Sequence, residues 1–401
     1  MKYLRRIGIF ARRHLHAFQL FGYTGFLLSF VQSMLLVRHL GLSGLTLLGL
    51  TGMVILTFYV LMMITKILAN GEVIIYYHHE IAVIASSALF LRLTHQPALP
   101  YLDILVLGLG LFLAFGRIGC LIVGCCHGRP SKWGVTYRED HVDAGFPAYL
   151  AGIQLFPIQA VESATALCIV AGGLALLLRG STPGSVFEFY VLCYGCARFC
   201  LEFFRGDSDR RYLWGFSEAQ WTSLLLASAV VVAERTRLLP PSTWHWAAFL
   251  VMVAAIAGIR IARRFDPARR FELLHPRHVR EVIRALDHLR NCHRHDSLDP
   301  ARGISMVLIH VAETSLGYRI SGGYKEMPDR IVKHYSISSD GAPLTHKSAY
   351  VFSRLLARLE AEYYAPKPVP GRAGVFHIIF DASLAHAEIP LSQLRTKEST
   401  V

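Results

Sequence analysis

Residues 116–130 read Gly-Arg-Ile-Gly-Cys-Leu-Ile-Val-Gly-Cys-Cys-His-Gly-Arg-Pro, followed by Trp133-Gly134-Val135. An apolar run over 102–115 leads directly into this stretch and puts Arg117 at the mouth of a hydrophobic helix. An arginine in or beside a bilayer is costly to desolvate, so it faces a protein-lined cavity and pairs with something anionic. Glycines at 116, 119, 124 and 128 remove side-chain bulk and open the backbone to close approach. The stretch reads as a site for an anionic head group beside a membrane helix.

Outward from it, the chain is strongly apolar. It has 401 residues, 53% of them hydrophobic, with a mean hydropathy of +0.40, which points to a membrane protein. Eight runs are long enough to span a hydrocarbon core, at 17–37, 43–67, 73–93, 102–124, 157–178, 184–204, 217–233 and 243–262, the seventh being short. The expected architecture is an all-α polytopic membrane protein of seven or eight transmembrane helices, followed by a small soluble α+β domain. The expected boundaries are a basic interfacial segment at 1–16, a transmembrane domain at 17–264 and the soluble domain at 265–401. The basic start passes into a long apolar run without a small-residue cleavage site, so no cleavable signal peptide is expected.

The net charge of +13 is concentrated in arginines at 5, 6, 12, 13, 260, 263, 264, 269 and 270, which flank the membrane part. That placement fits topology and attraction to anionic lipid, and no nucleic-acid recognition module accompanies it. Eight cysteines in a mostly membrane-embedded chain do not make a disulfide framework. Cys193, Cys196 and Cys200 fall on one helical stripe and read as small residues packing between helices. Cys120, Cys125, Cys126 and His127 are better thiol or metal candidates, but their spacing fits no common zinc pattern.

Three polar groups interrupt the apolar spans. Span three opens Tyr76-Tyr77-His78-His79-Glu80, where a histidine that titrates near neutral pH can take a proton from a nucleophile; His79 is the candidate base and His78 its reserve. Glu162 lies one turn inside span five and needs a partner to stay ionised. In span six, Arg198 and Glu202 are four apart, and Arg205 returns to the same face seven after Arg198. This pattern reads as guanidiniums held by carboxylate and aimed at a phosphate, which they bind through two donors at once. Beyond 264, residues 272–295 read as a helix rich in His and Arg, 304–313, 318–320, 331–337 and 375–380 have strand character, and 344–364 is an amphipathic helix. No catalytic motif stands out there.

At 116–130 and 184–205 the sequence resembles the prolipoprotein diacylglyceryl transferases, membrane enzymes that move diacylglycerol from phosphatidylglycerol to the thiol of a lipoprotein precursor. Their hallmark Gly-Arg-Ile-Gly-Asn-Phe, a later Gly, then Gly-Arg-Pro and Trp-Gly-Val is matched by Gly116, Arg117, Ile118, Gly119, Gly124, Gly128, Arg129, Pro130, Trp133, Gly134 and Val135. A Pro-x-Gln-x-x-Glu element matches Pro157, Gln159 and Glu162, and a third element matches Gly184 to Phe187, Tyr194, Gly195, Arg198, Phe199 and Glu202 to Arg205. The resemblance covers roughly residues 18–235. It departs where the asparagine after Gly-Arg-Ile-Gly is Cys120, where His-Gly-Gly becomes His-His-Glu, where Val161 replaces a tyrosine, and where an arginine of span two has no counterpart.

The resemblance implies that Arg117, Arg198 and Arg205 bind the lipid phosphate as it leaves in glycerol phosphate, that His79 deprotonates the acceptor thiol, and that Glu162 and Glu202 orient arginines. Gly119, Cys120, Gly128, Arg129, Gln159 and His78 would line the substrate site, and Tyr23 the lipid pocket. No metal and no cofactor is expected, and the implied location is the bacterial plasma (inner) membrane. The departures keep open a second reading, a paralogue without that chemistry that binds anionic lipid and recruits or senses a partner through its C-terminal domain. With eight spans the hallmark's loop, the N-terminus and the residues after 264 share one side and carry most of the Arg and Lys, which argues for inside, whereas the resemblance implies a hallmark toward the outer face. Seven spans would set the C-terminal domain opposite the hallmark, in the cytoplasm.

Overall fold

In the computed structural model of the protein the described residues are 17–69, 76–143, 145–208, 210–296, 310–327, 330–340, 343–360, 362, 364–372 and 374–381. The basic segment 1–16 and the strand start expected at 304–309 lie outside them. The chain divides into two compact units, one within 1–128, 157–205 and 210–258, the other within 129–156, 206–209 and 259–401.

All eight apolar runs are helical. They form α1 (Ala17–His39), α2 (Gly44–Ala69), α3 (Tyr76–Leu93), α4 (Ala98–Val123), α5 (Ile158–Leu178), α6 (Ser185–Leu201), α7 (Glu218–Arg235) and α8 (Thr243–Arg264). Five, α1, α2, α4, α5 and α8, are long and apolar enough to cross a membrane, so the chain is a polytopic membrane protein. The other three are shorter or more polar, because they carry the Tyr-Tyr-His-His-Glu opening, the Arg198–Glu202 pair and the Glu218 start.

Helix α4 is the centre of the first unit, more than half of its side chains being buried. Small residues let its neighbours come close, as between membrane helices generally. A β-carbon on Gly25 of α1 would stand 2.8 Å from Cβ of Phe115. Ser29 donates to the Gly108 carbonyl at 2.8 Å, and Ser163 of α5 to the Ala114 carbonyl at 2.8 Å. Asp103, a carboxylate buried inside an otherwise apolar run, accepts from the Gly184 and Phe187 amides at 2.7 Å each. It satisfies the free N–H groups at the start of α6 and complements that helix's positive end. The pair fixes α6 against α4.

The second unit is α+β. Strands β3 (Val311–Glu313), β4 (Tyr318–Met327), β5 (Arg330–Ser339), β6 (Val369–Pro370) and β7 (Phe376–Phe380) form an antiparallel sheet in the order β3-β4-β5-β7-β6. Alternate residues point inward: Tyr318 and Ile320 on β4, Tyr335 and Ile337 on β5, and Phe376, Ile378 and Phe380 on β7. Helices α9 (Pro276–Asp296) and α10 (His346–Leu359) bring Val282, Leu286 and Leu289, and Phe352, Leu355 and Leu356, into the same core.

That core also takes in Tyr137, Phe146, Leu150 and Leu155 from the segment between α4 and α5. There β1 (Pro130–Thr136) pairs antiparallel with β2 (Gln154–Leu155). Gly134 has φ +147, and a β-carbon on it would overlap the Leu155 carbonyl, which is why only glycine fits in Trp-Gly-Val. The 129–156 segment, which the expected boundaries put in the transmembrane domain at 17–264, is thus part of the second unit.

Two measurements follow from these contacts. Asp103→Ala should lower thermal stability by about 1–2 kcal/mol, the usual cost of losing a helix cap, in a melt of the purified protein. Burial and the Arg129, Arg277 and Arg263 charges hold the His275 ring down from its ordinary 6.5 to about 4, and burial lowers His278 as well. The unfolded chain therefore binds more protons between pH 6.5 and 4. Stability of the second unit is complete above pH 6.5 and falls as pH drops toward 4. Amide exchange over 276–289 should lose protection at pH 4.5 relative to pH 7, and unchanged protection would contradict this.

Candidate active site

The site grows from the last turns of α4 and α6 and the first turn of α5. On α6, Tyr190, Tyr194, Arg198 and Glu202 recur every four residues and so share one face. On α5, Gln159, Glu162 and Ser163 open the buried stripe. Glu162, fully buried, is where these elements meet. Its Oε2 lies 2.9 Å from Nε of Arg117 and 3.7 Å from Nη1 of Arg205. Its Oε1 lies 3.7 Å from Nε of Arg198 and accepts from the Tyr194 hydroxyl at 3.0 Å.

Glu202 forms a second centre, 3.0 Å from Nη1 of Arg198 and paired with Arg210. All of these side chains except that of Arg210 are at least nine-tenths buried. Among the described residues, these ion pairs gather four guanidiniums around two buried carboxylates, each making the burial of the other tolerable. A phosphate, with several acceptor oxygens, suits forked donors best.

Backbone contacts lock the arginines in place. Gly124 ends α4 in the left-handed conformation (φ +92), its N–H donating to the Cys120 carbonyl at 2.9 Å. Gln159 Nε2 donates to the Cys125 carbonyl at 2.9 Å, and Gly128 pairs with Arg205 in an antiparallel bridge. The residues from Gly124 to Gly128 are therefore folded back onto α5 and the end of α6. A β-carbon on Gly119 would stand 3.1 Å from Cα of Phe18, so this glycine gives α1 room.

The sulfurs of Cys120, Cys125 and Cys126 lie within 4.8 Å of one another.

The structure thus brings together Arg117, Arg198, Arg205, Glu162, Glu202, Gln159, Cys120, Gly119 and Gly128. It does not bring the two histidines to Glu162. His78 pairs with Glu218 of α7 at 2.7 Å, and the His79 ring lies on Phe58 of α2, centroids 4.8 Å apart. Tyr23 is 63% exposed on α1, and Arg129 belongs to the second unit, its carbonyl accepting from the Phe156 amide.

Residues beyond the sequence reading complete the site. Tyr76 and Tyr77 of α3 meet the Tyr194 ring edge-on at 6.2 and 5.7 Å, and Tyr190 stacks on it at 5.8 Å. The four-residue spacing of Tyr190, Tyr194 and Arg198 carries that signal in the sequence. Nothing in the local pattern marks Arg210, which lies beyond α6. An open apolar groove of about 620 Å³ runs between α1, α4 and α5, and its lining includes Leu28, Leu35, Leu111 and Phe115.

Fold and site together define a polytopic membrane protein with buried arginines toward the ends of its helices and an open apolar groove along the same helix as Arg117. A family model described as prolipoprotein diacylglyceryl transferase matches residues 14–234, and the chain belongs to that family. A phosphatidylglycerol–prolipoprotein diacylglyceryl transferase of Clostridium tetani is 34% identical over 163 residues, 40% of this chain and 62% of that protein. One of Dehalococcoides mccartyi is 31% identical over 130 residues, 32% of this chain and 48% of that protein. A second-numbered enzyme of the same name from Clostridium perfringens is 35% identical over 129 residues, 31% and 46% of the two chains. This chain spans less than two thirds of the length of each of these relatives.

Removing the shared anion should expose how much of the site it holds. Glu162→Ala leaves three buried guanidiniums facing each other and should cost about 3–5 kcal/mol of stability, read as a lowered melting midpoint. A melt within 1 °C of the parent would mean that the arginines are balanced by something other than Glu162.

Proposed function

We propose that the protein transfers diacylglycerol from phosphatidylglycerol to the cysteine thiol of a lipoprotein precursor, with glycerol phosphate leaving, in the bacterial inner membrane. The observation that carries this reading is the convergence of Arg117, Arg198 and Arg205 on buried Glu162, beside an apolar groove on α4. A phosphodiester bears one negative charge, and the departing glycerol phosphate bears up to two. Guanidiniums placed at the phosphate therefore stabilise the leaving group more than the bound lipid, which is what lowers a barrier. The names of the relatives support the same substrates.

In this mechanism Arg117, Arg198 and Arg205 hold the phosphate, and Glu162 and Glu202 fix their orientation. Acyl chains lie in the groove lined by Leu111 and Phe115, with Tyr23 at its lipid-facing side. Thiolate is the attacking form of sulfur, and His79 of α3 is its proposed base, with Gly119, Cys120, Gly128, Arg129, Gln159 and His78 around the substrates. Tyr77 and Glu80, on the face of α3 turned toward Tyr194 and Tyr190, couple that helix to the arginines. Eight crossings are proposed. Four helices separate 129–156 from the residues after 264, and an even number is needed because those two segments share a core.

Complementation in cells depleted of their own diacylglyceryl transferase tests this directly. The parent should restore growth and lipidated lipoprotein, and Arg198→Ala should lower transfer by at least about 100-fold, as for loss of one donor to a developing anion. His79→Ala should fail at neutral pH and recover partly at higher pH, where the thiol ionises unaided. A well-expressed parent that does not rescue would refute the transferase reading and leave lipid binding as the activity to measure.

A further inference from the structure

Three sulfurs of the chain's own stand beside the arginines, and two unusual backbone conformations put them there. Gly124 takes φ +92 and Cys126 takes φ +54, a left-handed conformation that a β-carbon makes unfavourable. Together they turn the chain after α4 so that the Cys125 and Cys126 sulfurs come back to Cys120. All three Sγ atoms lie within 4.8 Å of one another. Gln159 holds the turn through the Cys125 carbonyl, and the Gly128–Arg205 bridge closes its far end. Cys120 is buried, Cys125 is exposed and Cys126 is half-buried, so the trio has one closed side and one open side. Packing between helices requires small residues but not converging sulfurs, nor a strained Cys126.

We propose that Cys120, Cys125 and Cys126 bind a zinc-class divalent cation as three thiolates, with the fourth coordination position open to the acceptor thiol. A tetrahedral site with metal–sulfur bonds of about 2.3 Å needs sulfurs about 3.8 Å apart, so the trio reaches it by closing about 1 Å. Three thiolates on a divalent cation carry one net negative charge, which the nearby Arg117 and Arg205 balance. Three protein ligands and one exchangeable position are the arrangement of a catalytic rather than a structural site. Among the described residues no fourth His, Cys, Asp or Glu joins the three.

The acceptor's part rests on the transferase reading; metal binding does not. The acceptor thiol loses its proton to the base proposed above as its sulfur takes the open position. That sulfur then forms the C–S bond to the glyceryl carbon. The C–O bond to phosphate breaks, its electron pair stays on the phosphate oxygen, and glycerol phosphate leaves against the arginines. The product thioether is a weaker ligand than thiolate and vacates the position.

The test uses the full chain in detergent, reduced and freed of metal, titrated with Co²⁺ and then with Zn²⁺. One Co²⁺ per chain is expected, with sulfur-to-cobalt charge transfer and the intense visible bands of a tetrahedral ion, and Zn²⁺ should displace it. Loss of an outer-shell partner costs 10–100-fold in metal affinity, so Cys120→Ser, Cys125→Ser and Cys126→Ser should each weaken binding by at least about 100-fold. A short peptide with one cysteine should shift the visible bands, and its serine counterpart should not. No Co²⁺ bound, no charge transfer, or equal binding by the triple serine variant would overturn the site. Bands that ignore the cysteine peptide would overturn the open position. Complementation keeps the two ideas apart: metal binding without rescue sinks the transferase reading alone, and full rescue by a folded triple serine variant sinks the catalytic cation alone.

Discussion

Glu162 is the constraint on which the first unit depends. A carboxylate at the start of an apolar helix is expensive to bury, and three buried arginines would be more so; each makes the other tolerable. Because the arginines come from α4, α6 and the turn after α6, one acidic side chain on α5 ties together elements that are far apart in sequence. Tyr194 completes the arrangement with a hydrogen bond to the same carboxylate.

The rest of the helical unit reads as support for those few atoms. Asp103 anchors the start of α6 to α4, so that the end of α6, four turns on, delivers Arg198 and Glu202 in register with Arg117. Gly25 and Ser29 let α1 lie close on α4, and the Tyr76, Tyr77 and Glu80 face of α3 lies against the tyrosines of α6. The departures in the hallmark fall in the turn between Cys120 and Gly128. There the structure exchanges an expected polar side chain for a group of thiols while keeping the Gly128 bridge to Arg205.

The second unit shows how an α+β domain is joined to a membrane protein. Its core is not built from the C-terminal residues alone: Tyr137, Phe146, Leu150 and Leu155 reach it from between α4 and α5. Residues 129–156 begin inside the hallmark, so the chain on either side of the Gly128–Arg129 bond serves two different units.

Much of this was legible in the sequence. Apolar runs of membrane length specified eight helices, because a helix satisfies every backbone hydrogen bond within itself and needs no partner to be written down. The four-residue spacing of Arg198 and Glu202 and the lone Glu162 marked the charged cluster, since a buried charge must have a counter-charge. Alternation on β4, β5 and β7 marked the sheet. What the sequence could not decide was convergence. That Glu162 meets Arg117 and Arg205, that His79 packs on Phe58 instead, that Asp103 caps α6 and that three cysteine sulfurs meet all depend on contacts between residues far apart in the chain. Local patterns report the face a side chain occupies; only the packing of helix on helix decides what that face meets.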